Sequence, residues 1–351
     1  MRIRLFMKFE DIINYDTLYE SMNKCKSGVS WKPNVLHAIN NDASEIERCM
    51  KKIDSGEWKN SPPKEIEIMY PKKRKGVCIP FKDRVYQRAI NDEELYKVVE
   101  KKLIYANCSC QKGKGTDFAR NLLKKYIRSH IARYGIDGYI IQIDIHQYYQ
   151  SMRHDILKSK FRSVLDDDKT YNKVCEILDS QSEGKVGYKP GSQMIQIAGI
   201  FMLSDIDHYI KEKLHVKKYI RYMDDFLLIV KTLEEAMFIL NQVITKLDEL
   251  GFKINEKKTK IIKLTDPFNF MGFKYKVTKT GKIIMTIKPD RVKHERKKLY
   301  RASAKAKKGK MPKWKVDQMY ESWRSYANKG NSFKMLNNMD KYYKRLWEEE
   351  Q

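Results

Sequence analysis

Three aspartates stand at the ends of the most apolar strand patterns of the chain. Asp144 closes the apolar run 138–145, and Asp224 and Asp225 lie between the apolar runs 218–222 and 226–230. Carboxylates at buried strand ends are costly unless they are hydrated or bound to cations. Hard divalent cations such as Mg²⁺ take oxygen ligands, and two of them about 3.5–4 Å apart activate a 3′-hydroxyl and stabilise a leaving pyrophosphate. The pattern indicates phosphoryl chemistry at two Mg²⁺ ions, with Mn²⁺ as a substitute, unless the Asp-Asp pair only forms a hairpin turn.

A large positive charge indicates a polyanionic partner. The 351-residue chain has a formal net charge of +26, which suits nucleic acid or an acidic membrane surface. Residues 272–351 contribute a net charge of +15, and ten Lys or Arg residues fall within 291–311. Four of them recur at helical spacing and predict a basic face that contacts phosphates, a solvated helical surface being the alternative. They are Lys293, Arg296, Lys297 and Arg301.

The apolar runs and the cysteines limit the cellular compartments in which the protein is expected. No apolar run approaches the roughly 20 residues that span a bilayer, and the apolar part of the first eight residues is too short for a secretory signal. The chain has six cysteines and no CxxC pair, which argues against a disulfide scaffold and a structural zinc site. We therefore expect a cytoplasmic protein without a membrane partner.

Strands and helices alternate along the part of the chain that must position the aspartates. Aliphatic residues at helical spacing predict amphipathic helices at 83–102 and 117–134, and the runs around the Asp-Asp pair predict a hairpin. The other predicted helices lie within 9–55 (with Asp42 or Ser44 as a cap before Ile46), from 154, over 193–214 with Ser192 as cap, over 233–250 closed by Gly251, and from 289. The other predicted strands are 66–70, 77–80, 138–145, 259–264, 270–277 and 282–287. The pattern is that of an α+β catalytic block with a basic helical tail.

The string Tyr222-Met223-Asp224-Asp225, which follows an Asp-terminated strand by about 80 residues, resembles the palm of reverse transcriptases. The resemblance covers about 60–280 and rests on seven blocks in the order of the family, among them 72–87, 110–116, 191–196, 255–259 and 270–273. It implies an α+β right-hand polymerase. The implied regions are an N-terminal helical extension (1–60), fingers (61–137), a palm of antiparallel sheet and helices (138–280, with a fingers insertion at about 155–190) and a basic helical thumb (281–351).

The resemblance also implies the ligands of the catalytic ions. In the family, the first acid and the two hairpin acids bind the two Mg²⁺ ions. These acids match Asp144, Asp224 and Asp225, and the backbone carbonyl of Ile145 is an expected additional ligand.

Two further roles around the reacting nucleotide carry over from the family. Lys258 resembles a lysine thought to donate a proton to pyrophosphate, with Lys257 and Lys260 as neighbouring alternatives. An aromatic residue five positions after the first acid excludes a ribose 2′-hydroxyl in the family. That position is Tyr149, with Tyr148 as the competing residue, and a bulky ring there would favour dNTPs.

The fingers block and a later block supply candidates for substrate contacts. Lys73, Arg74, Lys75 and Arg84 are candidates to hold the incoming triphosphate, with template-backbone contact as the alternative. The block 270–273 resembles the turn that grips the primer strand, and its ordinary alternative is hairpin core. The candidate residues of that turn are Phe270, Met271 and Gly272.

The block around Gly191 departs from the family pattern. Pro190 comes one position later than usual. The Ser-Gln pair of the family matches Ser192 and Gln193 by identity, but by spacing it falls on 195–196. Either Gln193 or Gln196 is therefore expected to face the base, beside a glycine that permits close backbone approach.

Together these features predict an RNA-directed DNA polymerase that extends a primer with dNTPs on an RNA template. The blocks at 112–116 and 191–196 look most like compact bacterial enzymes of retrons, diversity-generating retroelements and antiviral defence. Such enzymes commonly use a cognate structured non-coding RNA. Two alternatives are an RNA-binding maturase or assembly factor that kept the fold, and an RNA-dependent RNA polymerase. The intact aspartates weigh against the first, and Tyr149 and Met223 weigh against the second.

Overall fold

The computed structural model describes residues 8–69, 73–182 and 184–348, apart from the side chain of Arg74. The described chain forms two compact units. The first contains the described part of Met1–Gly115 together with Gln142–Leu228 and Met237–Lys260. The second contains Thr116–Ile141, Ile229–Ala236 and the described part of Ile261–Gln351.

Helices and strands alternate through the described residues. The helices are α1 (Phe9–Ile12), α2 (Tyr15–Cys25), α3 (Pro33–Asn40), α4 (Asp42–Asp54), α5 (Phe81–Ile90), α6 (Tyr96–Glu100), α7 (Thr116–Tyr134), α8 (His154–Arg162), α9 (Asp168–Ser180), α10 (Gln193–Met202), α11 (Ser204–His208), α12 (Leu233–Glu249), α13 (Pro289–Lys307), α14 (Lys313–Ala327) and α15 (Phe333–Arg345). The strands are β1 (Lys64–Ile68), β2 (Arg74–Cys78), β3 (Tyr139–Asp144), β4 (Tyr219–Tyr222), β5 (Asp225–Val230), β6 (Lys260–Lys263), β7 (Phe268–Phe270), β8 (Phe273–Val277) and β9 (Ile283–Ile287). Two π-helical segments, Asn91–Leu95 and Tyr209–Lys213, follow α5 and α11, and a 3₁₀ turn spans Tyr148–Ser151.

The sheet that carries the aspartates has the strand order β4-β5-β3-β6. β4 and β5 form the predicted antiparallel hairpin, in which Tyr222 is paired with Asp225. Successive strand residues point to opposite faces, and Ile140 and Ile141 of β3 are both fully buried. The strands β3, β4 and β5 are therefore covered on both sides, which is why they show as continuous apolar runs in the sequence, whereas β6 at the edge is partly exposed.

The second unit contains a smaller antiparallel sheet of order β7-β8-β9 and the last three helices. Alternate residues of β8 are buried, and Phe273, Tyr275 and Val277 face inward. The last three helices share an apolar core of their own. Its buried members are Leu299, Ala302, Val316, Tyr320 and Met339. The aromatic residues scattered through the basic tail thus serve in part to pack a small helical bundle.

The structure differs from the sequence prediction in several local details. The strand predicted at 270–277 is two strands, because Met271 and Gly272 have φ values of 41° and 88° and turn the chain. The helix predicted over 193–214 is interrupted after Met202 and ends in a π-helical segment. The helix before Ile46 begins at Asp42, so that Asn41 stands at its cap position instead of Asp42 or Ser44. No helix of the described residues is long and apolar enough to cross a membrane.

Candidate active site

The three aspartates lie on neighbouring strands of one sheet. Asp144 is the last residue of β3 and is 8% exposed. Asp225 begins β5, and Asp224 lies in the two-residue turn before it. β3 and β5 are adjacent in the sheet, and the carboxylates of Asp144, Asp224 and Asp225 lie close enough that, in addition to burial, their charge raises the pKa of Asp225. The structure thus brings together the three acids that the sequence singled out.

A segment after α12 fixes the end of β3. The N–H of Asn255 donates to the carbonyl of Asp144 over 2.7 Å, and Ile145 forms an antiparallel bridge with Ile254. The two bonds of this bridge use the carbonyls of Asp144 and Lys253. Neither bond of the bridge uses the carbonyl of Ile145, the expected additional metal ligand. This carbonyl belongs to the residue that directly follows Asp144.

The ammonium of Lys258 also lies in the acid cluster. Its Nζ is 2.5 Å from Oδ1 of Asp144. Burial by itself lowers the pKa of Lys258, but the hydrogen bond to Asp144 and the charges of the other aspartates outweigh burial and raise it. Of the three lysines that the sequence left open, Lys258 is the one that the structure pairs with Asp144.

The carboxylate oxygens of this cluster are ligands of the kind that a divalent cation requires. Burial, together with the charges of Asp224 and Asp144, raises the pKa of Asp225 to about 7. Burial also raises the pKa of Asp224. Within 8–69, 73–182 and 184–348, no three His, Cys, Asp or Glu side chains are arranged as the ligands of a metal ion. One oxygen of Asp144 is bonded to the ammonium of Lys258. Repelling carboxylates of this kind are stabilised by a hard divalent ion, so the residues fit one.

The turn that carries Asp224 is strained and firmly held. Met223 has a φ of 56°, a left-handed conformation that costs a non-glycine residue roughly 1–2 kcal/mol. Its N–H donates to the hydroxyl of Ser109 over 2.9 Å, and its carbonyl accepts from Arg221 over 3.0 Å. Its sulfur lies 3.6 Å from the sulfur of Cys110. Both backbone polar groups of Met223 are therefore engaged, which fixes the direction of the following aspartates.

A buried ion pair anchors this turn. The side chains of Arg221 and Asp207 have no exposed surface. Nε and Nη2 of Arg221 donate to the two carboxylate oxygens of Asp207 over 2.7 and 2.6 Å, Nη2 also donates to the carbonyl of Ile200, and Nη1 reaches that of Met223. Sequence reasoning missed this pair. An arginine inside an apolar strand was a usable signal, because a buried charge requires a partner.

The two neighbouring tyrosines have different surroundings. Tyr148 is buried, its hydroxyl donates to the carbonyl of Gly199 over 2.5 Å, and its ring centre is 5.2 Å from that of Phe252. Tyr149 is half-buried. A Cβ atom on Gly199 would lie 3.2 Å from the ring of Tyr149 and 3.4 Å from Cε of Met223. Tyr148 is therefore a core residue, whereas Tyr149 is the aromatic residue beside the turn that carries Asp224.

Several residues predicted to contact substrate line one cavity of about 660 Å³ in the first unit. They are Arg84, Gly191, Ser192, Gln193 and Gln196. Gly191 is required because its φ is 157° and a Cβ atom there would lie 2.0 Å from the carbonyl oxygen of Val77. The hydroxyl of Ser192 accepts from the N–H of Ile195 over 3.1 Å and so caps α10. Both glutamines that the sequence left open reach the cavity.

The other residues predicted to hold triphosphate have different environments. Lys73 forms an exposed ion pair with a glutamate of β1 over 3.5 Å, and Lys75 is exposed. The side chain of Arg74 lies outside the described residues. Nη2 of Arg84 donates to the carbonyl of Cys25 over 3.1 Å. Among the described side chains of this set, Arg84 is the one that lines the cavity.

In the second unit, the turn predicted to grip the primer joins β7 to β8. Phe270 is buried, and the carbonyl of Met271 accepts from Nη1 of Arg120 over 3.1 Å. A Cβ atom on Gly272 would lie 2.2 Å from the hydroxyl oxygen of Tyr326. The turn is thus packed closely against α7 and α14.

The predicted basic face lies on α13. Lys293, Lys297 and Arg301 are exposed. Arg296 is also exposed, but its Nε lies 3.3 Å from the sulfur of Met339, and its guanidinium lies over the ring of Tyr342 at 5.2 Å. Arg296 therefore contributes to the packing of α15 as well as to surface charge.

Comparison with known proteins identifies the family. Residues 62–275, more than half of the chain, match the reverse transcriptase (RNA-dependent DNA polymerase) family, so the chain belongs to this family. The telomerase of Candida albicans, solved with a TWJ fragment of telomeric RNA, is 14% identical with a TM-score of 0.50, over 74% of this chain and 55% of that chain. An apo telomerase of Candida tropicalis truncated from its C-terminal domain is 14% identical with a TM-score of 0.49, over 71% and 60%.

The chain spans little more than half of the length of these telomerases. The likeness to the first shows a shared reverse transcriptase fold and confirms the α+β fold predicted from the sequence. No curated protein matches the chain.

Replacing Arg221 by Met should lower the free energy of unfolding by about 3–5 kcal/mol, because Asp207 is then a buried charge without a cation, with only the hydroxyl of Tyr219 still donating to it. The double variant Arg221→Met/Asp207→Leu should recover most of this stability, since the pair is replaced by apolar side chains of similar size. It should still extend primers about 100-fold more slowly, because the carbonyl of Met223 has lost its donor and the turn can move. Denaturant unfolding and primer extension measure the two effects. A double variant with full activity would show that the pair only stabilises the fold.

Proposed function

We propose that the chain is an RNA-directed DNA polymerase that extends a primer with dNTPs on an RNA template. The observation that carries this proposal is the meeting of Asp144, Asp224 and Asp225 on one sheet in a chain of the reverse transcriptase family. With the carbonyl of Ile145, these carboxylates would hold two divalent cations, for which we propose Mg²⁺ with Mn²⁺ as a substitute. When bound, the ions supply the charge that activates the 3′-hydroxyl and stabilises the leaving pyrophosphate.

Lys258 is the proposed proton donor to pyrophosphate. Its raised pKa keeps the ammonium protonated at neutral pH, as a donor must be before it acts. The ion pair with Asp144 holds the ammonium in the acid cluster. Transfer of its proton to the departing pyrophosphate would reduce the charge that develops on the leaving group.

Tyr149 is the proposed gate against ribonucleotides. It is half-buried beside Met223 of the catalytic turn, whereas Tyr148 has its hydroxyl and ring engaged in the core. A rigid ring in this place leaves no room for a 2′-hydroxyl, so dNTPs are the proposed substrates. The glycine at 199 supports the proposed role of Tyr149, because a larger residue there would displace the ring of Tyr149.

The proposed partners are an RNA template, a primer and, more specifically, a cognate structured non-coding RNA. The blocks at 112–116 and 191–196 support a place among the compact bacterial enzymes of retroelements and antiviral defence. The basic face of α13 supports phosphate contacts by a thumb, because Lys293, Lys297 and Arg301 are exposed and carry charge of one sign.

Asp224→Asn should abolish primer extension, with a loss of at least about a thousandfold, because a ligand of the catalytic ions is removed. The variant should be at least as stable as the wild type. Burial and the charge of Asp144 raise the pKa of Asp224, so its ionised form destabilises the folded state above the ordinary pKa, and the amide removes that charge. Primer extension with dNTPs on RNA and denaturant unfolding provide the measurements. Asp266→Asn, at an exposed turn, is the matched control, and near-normal incorporation by Asp224→Asn would refute the two-metal mechanism.

Tyr149→Ala should lower the preference for dNTPs over rNTPs by about tenfold or more, because the ring that meets the 2′-hydroxyl is gone. Single-nucleotide incorporation gives the ratio of kcat/KM values for the two sugars. Tyr19→Ala, which removes an exposed ring that stacks on Tyr15, should leave the ratio unchanged. If the ratio is also unchanged in Tyr149→Ala, the gate lies elsewhere.

Changing Lys293, Lys297 and Arg301 to Ala should flatten the slope of log affinity for RNA–DNA duplex against log salt by about two to three units, since each phosphate contact contributes roughly 0.7–0.9. Unrelated duplexes should weaken to a similar degree, because phosphates carry no sequence. Filter binding at several salt concentrations measures the slope. The matched control replaces three lysines that already pair with surface acids and so makes the same change in net charge; these are Lys51, Lys169 and Lys173. Equal slopes for the two triple variants would contradict the thumb contact.

A further inference from the structure

The turn that joins α13 to α14 carries a dense positive charge. Residues 305–315 contain six lysines and no acid. All six side chains are exposed, and within the part of the chain that the structure describes none of them pairs with a carboxylate. They are Lys305, Lys307, Lys308, Lys310, Lys313 and Lys315. Because neighbouring cations repel one another, this lysine-rich turn (305–315) is stabilised by an anionic partner.

A tryptophan stands within the lysine-rich turn. Trp314 is 64% exposed, and its indole has no hydrogen-bond, ring or cation partner among the described residues. The other two tryptophans of the last three helices differ, since Trp323 and Trp347 pack against the apolar core of the bundle. Trp314 therefore leaves a large aromatic surface open to a ligand.

An aromatic ring among unpaired cations suits an unpaired nucleotide. A base stacks on the ring while the cations neutralise the phosphates on either side of it. Bases inside a duplex are stacked on one another, whereas unpaired bases can be splayed out and stacked on aromatic side chains. A single strand therefore uses both features of the turn, and a duplex would use only its charge.

An acidic membrane is a poorer match for this surface. Basic segments that bind membranes also insert an apolar face below the headgroups. Two apolar side chains of the turn, Ala306 and Met311, pack against the core of the bundle instead. The exposed apolar surface of the turn is thus limited to Pro312 and the indole of Trp314, which favours nucleic acid as the partner.

The lysine-rich turn continues the basic face of α13. Lys293, Lys297, Arg301 and Lys305 follow one another at a spacing of four residues, so they lie along one side of the helix, and all four are exposed. From 293 to 305 the helix rises by about 18 Å. A nucleic acid that contacts the basic face of α13 can therefore extend to the turn.

We propose, on the basis of the RNA partner proposed above, that the lysine-rich turn binds an unpaired segment of a structured RNA. One base stacks on Trp314, and the exposed lysines bind the adjacent phosphates. RNA is the source because the loops and bulges of a folded RNA present unpaired bases, whereas newly copied DNA is paired with its template. The turn belongs to the second unit and the three aspartates to the first, so the contact is separate from the reacting groups.

The test measures binding of a fluorescent RNA hairpin with an unpaired loop to the full chain, by anisotropy, with excess unlabelled blunt RNA–DNA duplex to occupy the duplex sites. Trp314→Ala should weaken hairpin binding by about tenfold, because a base has lost its stacking partner, and Trp314→Phe should weaken it by less than about threefold, because a ring remains. The blunt duplex, labelled and measured alone, should change by less than about twofold, since phosphates dominate its affinity. The matched control Trp31→Ala removes a tryptophan of the first unit that is 75% exposed and should leave hairpin binding unchanged.

Two further measurements address the lysines and the position of the base. Changing Lys307, Lys308 and Lys310 to Ala should flatten the slope of log affinity for the hairpin against log salt by about two units, since each contact to a single strand contributes roughly 0.7. In the wild type, 5-iodouridine in the loop should cross-link on irradiation to the ring on which it stacks. Mass spectrometry should place that cross-link at Trp314.

The outcomes separate the alternatives. Weaker hairpin binding by Trp314→Ala, with the duplex unaffected, supports the proposal. Equal hairpin affinities of the wild type and Trp314→Ala overturn it, and so does Trp314-dependent binding to phosphatidylserine vesicles, which would assign the turn to a membrane. If Trp314→Ala fails to fold, the cross-link decides, because cross-links found only at other residues overturn the proposal. Primer extension on an unstructured template tests the polymerase function independently, so extension by a wild type whose hairpin binding does not depend on Trp314 would refute this inference alone.

Discussion

The buried pair of Arg221 and Asp207 is the interaction on which the active site depends. Without compensation, two charges with no exposed surface would destabilise the fold, but here each hydrogen-bonding edge of the guanidinium has a defined acceptor. One acceptor is the carbonyl of Met223, the residue immediately before the two hairpin aspartates. The pair therefore ties a turn in a left-handed conformation to the core, and the position of the aspartates follows from an ion pair that makes no contact with substrate itself.

Strain around the catalytic turn is consistent with this account. Among the residues that the structure describes, five non-glycine residues have a positive φ, and three of them lie in the segments that build the site. These three are Cys110, Gln147 and Met223. Strained residues of this kind persist only where surrounding contacts fix them, and hydrogen bonds to Ser109 and from Arg221 do so for Met223. These contacts keep the turn that carries Asp224 in its strained conformation.

Local sequence signals predicted the elements of this fold well, whereas long-range contacts escaped them. Asp144 could be placed at a strand end because the apolar run before it has the length of a buried strand, and the Asp-Asp turn was marked by apolar runs on both sides. The partner of Arg221 could not be read in the same way, since Asp207 lies on another element. The segment at 106–110 pairs with β4 through a hydrogen bond from the N–H of Cys108 to the carbonyl of Arg221. No local periodicity of the sequence predicts that pairing.

The central claim is that Asp144, Asp224 and Asp225 form one cation-binding centre. The most direct measurement replaces Mg²⁺ by Fe²⁺, adds ascorbate and peroxide, and maps where hydroxyl radicals formed at the bound iron cut the chain. The account predicts cuts near 144 and near 224–225 in the same preparation, suppressed by excess Mg²⁺ and lost in Asp225→Asn. Cuts confined to other segments, or cuts near these residues that neither Mg²⁺ nor Asp225→Asn affects, would contradict it.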